Sequence, residues 1–352
     1  MVTVLEEFRL QSRFCADFGS PFTAQLLARA ADDLDAGGVL ADLVGGWQGN
    51  PRVDAVSLRF AGALHAAALT GRDVALATEY PAMRPDWSMD RIWPLAAAFA
   101  RRDEPWVRDF MRSPPQTNET GRSTGLACGF LWLAERGPQP FRMHELGASA
   151  GLNLNWDRFA YAHPAWGRQG IAGPLMPTVI AGGPPAWRDI AIASRSACDQ
   201  NPLDVNNAED RLRLRAYVWA DQTARLERLD AALSLARETG ARVEKADAAA
   251  WLGVQLAGDL PLGTTVIYHS VFLQYPPREV RQAIADAIAE AGARTTTDRQ
   301  LARVSFEPES VVGGPHGSAR YVLHVTRWVD GRRSDTTLAE VDPHGRTMKW
   351  LG

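Results

Sequence analysis

Along the first 135 or so positions apolar residues recur at the three- and four-residue spacing of a single helix face. Ser20-Pro21 has the form of an N-cap followed by proline at the first helical position. Leu26, Leu27, Ala30 and Leu34 continue at helical spacing, and Gly37-Gly38 ends the run. The same rhythm predicts helices over 56–69, 92–100 and 106–111. Pro114-Pro115 then break the chain. Asn118-Glu119 cap a helix expected to reach Glu135, with Leu126, Phe130 and Leu133 as its buried stripe. A helical N-terminal cap domain over 1–136 is the expectation.

From Pro140 the period changes. Short apolar runs over 141–146, 190–197, 241–246 and 264–272 read as strands, and 212–238, 248–256 and 279–291 read as helices between or after them. Strands alternating with helices predict parallel βαβ units with helices on both sheet faces. Strands over 301–306, 320–329 and 336–341 close the chain, with Asp330-Gly331 turning between the last two, so an antiparallel hairpin is expected at the sheet edge. The predicted second domain is α/β and spans 137–352. Its glycine- and proline-rich stretch 163–188 is too long for a routine connection and reads as an inserted lid or substrate-binding excursion.

Composition narrows the classes. At 352 residues, with 46% hydrophobic and 22% charged residues, the chain is long and apolar enough for a sizeable core, which excludes general disorder. The 38 basic residues nearly balance 41 acidic ones, and a net charge of −3 gives no general pull towards nucleic acid or anionic lipid. No apolar run approaches the ~18 residues that a membrane span needs, and Glu6, Glu7, Arg9 and Arg13 interrupt any signal-peptide core. A soluble, cytoplasmic protein is expected. Cys15, Cys128 and Cys198 form no C-x-x-C pair, and the seven histidines show no H-x-x-x-H spacing, so neither a disulfide framework nor a metal site is expected.

The segment His144-Glu-Leu-Gly-Ala-Ser-Ala-Gly-Leu-Asn153 runs a strand into glycines and then towards a helix, which brings free N–H groups and open backbone to a ligand. Its order, acidic–x–Gly–x–x–x–Gly, is similar to the first motif of class I S-adenosylmethionine-dependent methyltransferases. Glu145, Gly147 and Gly151 match that motif, and Ser149 stands where a middle glycine is frequent. The resemblance implies a Rossmann-like, methyltransferase-type mostly parallel sheet and S-adenosylmethionine as cofactor. Asp199, at the end of the second strand, would take the ribose hydroxyls, Asp247, at the end of the third, would lie beside adenine, and His269-Ser270 would stand where cofactor and acceptor meet. Asp199 lies about 50 residues past the loop, against about 20 in a dinucleotide fold, and the 163–188 insertion accounts for the excess. The whole chain also resembles an uncharacterised bacterial family, domain of unknown function 2332. The stretches that carry this resemblance are 115–123, 145–154, 198–204, 217–222, 268–270 and 344–345.

His269, with an ordinary pKa near 6.5, is the expected general base, and Ser270 an expected cofactor contact; a strand-end histidine serves equally as a hydrogen-bonded core residue. Tyr275 and Glu119 are the other catalytic candidates. Asn118, Glu119 and Arg122 share the first turns of one helix and either grip a polar ligand group or form a cap and an ion pair. Asn153 follows the loop as a substrate contact. A small-molecule acceptor is expected. Two other readings stay open. Gly147-x-Ser149-x-Gly151 is also the nucleophile elbow of α/β-hydrolases, with Asp298 and His316 or His344 in the required chain order. A fold of the same kind also serves as a binding protein for a nucleoside or a partner, without catalysis.

Overall fold

The computed structural model describes residues 2–170, 173–315 and 317–352. Thr3 opens a helix that the apolar pattern did not predict. Its hydroxyl accepts the Glu6 N–H at 3.1 Å, and the Glu6 carboxylate accepts the Thr3 N–H at 2.7 Å, a reciprocal cap that starts Val4–Asp17. Ser20 caps Pro21–Asp35 as expected, and Val56–Thr70 ends at Gly71 in the left-handed region. Met89–Arg102 and Glu104–Arg112 follow, and Phe8, Phe22, Phe60, Ile92 and Phe99 fill the core between these helices.

One compact unit comprises the residues up to Thr117 together with Asn207–Glu227; the other comprises Asn118–Asn206 and Arg228–Gly352. Two expectations change. The boundary moves from 136 to 117, because Ser123–Ala134 packs on the sheet: Gly125 and Gly129 let it approach Phe306 and Val304. The single helix expected over 212–238 is two, Ala208–Ala216 and Thr223–Thr239. The break leaves Asp221 free to accept the Ser20 hydroxyl at 2.5 Å and the Phe22 N–H at 2.9 Å at the start of a distant helix.

In the second unit the strands, in chain order, are β1 (Phe141–Leu146), β2 (Tyr161–His163), β3 (Gly167–Gln169), β4 (Val179–Ala181), β5 (Ile192–Asp199), β6 (Glu244–Lys245), β7 (Gly263–Ser270), β8 (Arg299–Pro308), β9 (Tyr321–Val329), β10 (Arg332–Val341) and β11 (Thr347–Trp350). Among the described residues, nine form one sheet in the order β4-β11-β10-β9-β8-β7-β1-β5-β6, and β2 and β3 pair separately. The run β6-β5-β1-β7-β8 is parallel throughout. Ranked by chain position its strands follow 3-2-1-4-5, the first part of a doubly wound sheet. β9, β10 and β11 continue antiparallel, and β4 joins β11 in parallel. The architecture is therefore mixed α/β, with a large mostly parallel sheet, an antiparallel C-terminal part and N-terminal helices. Ala248–Gln255 and Arg278–Ala293 cover the sheet face opposite Ser123–Ala134, burying Leu146, Ile267, Leu301 and Trp328.

The described parts of the 163–188 insertion are built into the fold and do not form a free lid. β4 pairs with β11, the Trp166 indole donates to Pro185 O at 2.8 Å, and the Thr178 hydroxyl donates to Gly345 O at 2.6 Å.

Candidate functional site

Strand order reverses between β1 and β7, since β5 flanks β1 on its other side. In open parallel sheets the crevice at the carboxyl ends of such strands is where ligands bind. At that point β1 gives way to three left-handed residues, Gly147 (φ 66°), Ser149 (φ 54°) and Gly151 (φ 71°). Gly147 is required twice over: by its backbone angle, and because a Cβ there would collide with Phe272. The Gly147 and Ala148 N–H groups both donate to Cys198 O, at 2.9 and 3.1 Å. The Ser149 N–H donates to Asp199 Oδ2 at 2.8 Å, and the Leu152 N–H to Asn118 Oδ1 at 2.9 Å.

Asp199 thus ties the loop to the end of β5, and its other oxygen accepts the Asn201 N–H at 2.8 Å. A carboxylate has four lone-pair sites, so two remain for a ligand. Asp247 caps Ala248–Gln255: its Oδ1 accepts from Ala249 and Ala250, each at 3.0 Å, while Oδ2 carries no protein bond among the described residues. Expected ligand residues at both strand ends therefore have local structural duties that the sequence did not reveal.

The Asn118–Arg122 segment closes over the same edge. Asn153 Nδ2 donates to Glu119 O at 3.4 Å, and Glu119 Oε1 accepts the Gly121 N–H at 2.9 Å. Arg122 donates to Pro343 O at 2.8 Å and to Ser270 O at 3.2 Å. Gly121 and Gly345 pack backbone to backbone, so a side chain on either would meet the other's segment. Stretches far apart in the chain (118–122, 145–153, 199–201, 268–270 and 342–345) thus meet at one sheet edge. Stretch 217–222 belongs to the helical unit.

Polar atoms are enclosed here. Ser149 and Asn153 are buried, and neither Ser149 Oγ nor Asn153 Oδ1 has a hydrogen-bond partner among the described residues. Glu145 is buried beside the Tyr268 hydroxyl, 3.2 Å from its Oε2. Burial pushes the Glu145 carboxyl up to about 8; the Tyr268 hydrogen bond opposes this, and the Asp199 charge adds to it. Glu145 is thus protonated at neutral pH. His144, against Ser196 Oγ at 2.7 Å, is pushed down to about 4 by burial and then by the Arg142 charge.

His269 does not fit the role expected of it. It is fully enclosed, with Nδ1 2.6 Å from Glu307 Oε1 and Nε2 3.2 Å from Ser305 Oγ. Both ring nitrogens are engaged by protein side chains, which is the geometry of a hydrogen-bonded core histidine. Tyr275 is 73% exposed, carried past the edge by the turn after β7. Sequence reading missed Glu307, an acidic residue inside an apolar strand with no spacing signal. Its Oε1 also accepts the Phe272 and Leu273 N–H groups, at 2.8 and 3.2 Å, and so fixes the turn that sets Phe272 against Gly147.

Of the hydrolase candidates, Asp298 is not brought to Ser149. β1 is the first strand of the sheet, whereas an elbow strand would follow several others. Asp298 immediately precedes β8, which runs parallel to β1 through β7, so it lies at the opposite edge from Ser149. His344 lies in the turn whose backbone is held by Asp342, and His316 falls outside the described residues. Among the described residues no group of three or more His, Cys, Asp or Glu side chains is placed to hold a metal ion, and no helix is long and apolar enough to cross a membrane.

A family model described as "Uncharacterized protein conserved in bacteria (DUF2332)" matches residues 5–350. The chain belongs to this family. The match takes in the helical unit as well as the sheet unit. No curated protein and no solved structure matches the chain.

Proposed function

We propose that the carboxyl edge of the parallel sheet binds a nucleoside ligand of the S-adenosylmethionine type, and that the protein is methyltransferase-like, with a small-molecule acceptor. One observation carries the reading: a left-handed glycine–serine–glycine loop stands at the switch point of a 3-2-1-4-5 sheet, and beside it Ser149 Oγ and Asn153 Oδ1 are buried without partners among the described residues. Buried polar atoms of this kind normally have a partner, and a ligand group supplies one.

The residues present suit such a ligand. The backbone of 147–151 would line it. The two lone-pair sites left on Asp199 suit two ribose hydroxyls, and the unused Asp247 Oδ2 suits the adenine amino group. When bound, the cofactor would supply a methyl group activated on a sulfonium. The chain's own contribution is alignment and exclusion of water by Asn118, Glu119, Arg122 and Phe272. With His269 enclosed, the reading favours an acceptor whose nucleophile is already deprotonated at neutral pH.

Calorimetric titration with S-adenosylhomocysteine tests this. Saturable binding by the parent is expected, weakened at least tenfold in Asp199→Asn and abolished in Gly147→Asp, with folding checked by circular dichroism. No binding by the parent sinks the proposal. Binding without turnover across a broad acceptor panel would favour a nucleoside-binding protein that does not catalyse.

A further inference from the structure

The face of β8, β9 and β10 that carries Arg303 holds a second polar cluster, separate from the glycine loop. Side chains alternate along a strand, so Arg303, Ser305 and Glu307 share the face of Leu301, which packs beneath Arg278–Ala293. Across the ladder Arg303 stands opposite Thr326, and Thr326 opposite Asp335. Arg303 is half-buried and its Nε is shut off from solvent. Its guanidinium makes no hydrogen bond or ion pair among the described residues.

Neither nearby carboxylate bonds to it, although Glu307 Oε2 has no partner of its own among the described residues. Asp335 accepts the Thr326 hydroxyl at 2.8 Å, Arg333 Nε and Nη2 at 2.8 and 3.0 Å, and lies 3.3 Å from His324 Nε2. Glu307 is fully enclosed and holds His269 and two backbone N–H groups through one oxygen. Burial, then the Arg333 charge, lowers the pKa of Arg303, but a guanidinium keeps its charge at neutral pH. The Asp335 and Glu307 charges favour the charged form from a distance, but a desolvated guanidinium without a bonded partner is costly to keep in a folded protein. The outer side of this face is open, since β10 is exposed from Arg332 to Asp335.

We propose that Arg303 anchors a second ligand site, on the β8–β10 face beside Thr326 and His324, for a small molecule bearing a carboxylate or phosphate group. The planar fork of a guanidinium matches either oxyanion through two parallel hydrogen bonds, and both deliver the bonded counter-charge that Asp335 and Glu307, acting on Arg303 only at a distance, do not supply. The site does not depend on the glycine loop.

Titration calorimetry of the full chain at pH 7 tests it, using inorganic phosphate and, separately, succinate, with ionic strength held by chloride. Saturable binding of at least one is expected, weakened at least tenfold in Arg303→Met and by a smaller factor in Arg303→Lys. Binding of phosphate alone assigns a phosphorylated ligand, and of succinate alone a carboxylic acid. Without anion, Arg303→Met should unfold at a higher midpoint than the parent, because it removes the uncompensated charge. No saturable binding of either anion overturns the proposal, as does unchanged affinity in Arg303→Met. Should Arg303→Met fail to fold, unchanged affinity in Arg303→Lys overturns it.

Discussion

In the helical unit, buried polar side chains mostly close on near partners within an apolar core. Glu7 takes the Ser57 hydroxyl at 2.7 Å, Arg59 donates to Met111 O and Arg112 O at 2.8 and 2.7 Å, and His65 Nδ1 lies 3.1 Å from Ala216 O. The Tyr80 hydroxyl and Arg213 Nη1 are exceptions. At the carboxyl edge of the sheet, left-handed residues, a protonated glutamate and unpartnered buried atoms crowd around one loop. The first arrangement is mostly closed, although it too has a left-handed non-glycine residue, Ala55 (φ 51°). The second concentrates strain and unmet hydrogen bonds at one loop, the pattern that recurs where structure serves more than stability.

Matched substitutions sharpen the contrast, and the largest difference should come from glycines. Gly71 and Gly147 have the same φ, 66°, but a Cβ meets nothing within 4 Å at Gly71 and collides with Phe272 at Gly147. Gly71→Ala should cost about 1 kcal/mol, the left-handed penalty alone. Gly147→Ala should cost about 4 kcal/mol, because overpacking is added to that penalty. Urea unfolding followed by tryptophan fluorescence measures both. Equal costs would mean that the Gly147 loop is as unconstrained as a helix end.

The buried Glu145 of the sheet unit and the buried His65 of the helical unit should respond to pH with opposite signs. Glu145 is raised in the fold, so its contribution is fully present below about pH 4.5 and is lost as pH rises through about 8. Between pH 5 and 8 the sheet unit should lose about 3 kcal/mol, and Glu145→Gln should flatten that slope. His65 is pushed down to about 4, by burial first, so its contribution is present above about pH 6.5 and is lost as pH falls through 4. His144 adds an acid-side loss in the sheet unit and Glu7, raised by burial, adds an alkaline-side loss in the helical unit, so the comparison of Glu145→Gln with the parent isolates Glu145. An E145Q profile identical to the parent's between pH 5 and 8 would refute the protonated glutamate.

Serines separate the regions on a smaller scale. Ser57→Ala removes the donor to a buried Glu7 and should cost about 2 kcal/mol. Ser149→Ala removes a hydroxyl that has no protein partner among the described residues and should change stability by less than about 0.5 kcal/mol. If Ser149 instead serves a ligand, the loss will appear in S-adenosylhomocysteine affinity. A fluorophosphonate probe should not label the parent at Ser149.

Much of this contrast is absent from the sequence for physical reasons. The glycine loop and the strands around it were legible because Phe141, Met143 and Leu146, and Val266, Ile267 and Tyr268, form short apolar runs that lead into turn-forming residues. The short strands β4 and β11 were not, since three or four residues carry too little alternation. The break at Tyr217–Gln222 was hidden because apolar spacing runs through it, and its cause, the pull of Ser20 and Phe22 on Asp221, lies about 200 residues away in the chain. His269 looked available because a one-dimensional pattern shows a strand end but not the Glu307 and Ser305 side chains that enclose it. The helix Val4–Asp17 did carry a readable signal, Thr3 and Glu6 at capping-box spacing.

The smallest stability difference between the two regions tests the functional side of the contrast most cleanly. Asn207 in the helical unit and Asp247 at the sheet edge each cap a helix by accepting two backbone N–H groups. Asn207→Ala and Asp247→Ala should therefore each cost about 1 kcal/mol, an equality that rests on capping alone. Asp247 keeps Oδ2 free of protein bonds at a strand end facing the proposed ligand, whereas Asn207 belongs to the other unit. Asp247→Ala should also weaken S-adenosylhomocysteine severalfold, and Asn207→Ala should leave that affinity unchanged. If both variants lose stability equally and neither changes affinity, Asp247 is a cap and nothing more, and the adenine would have to be held elsewhere along the edge.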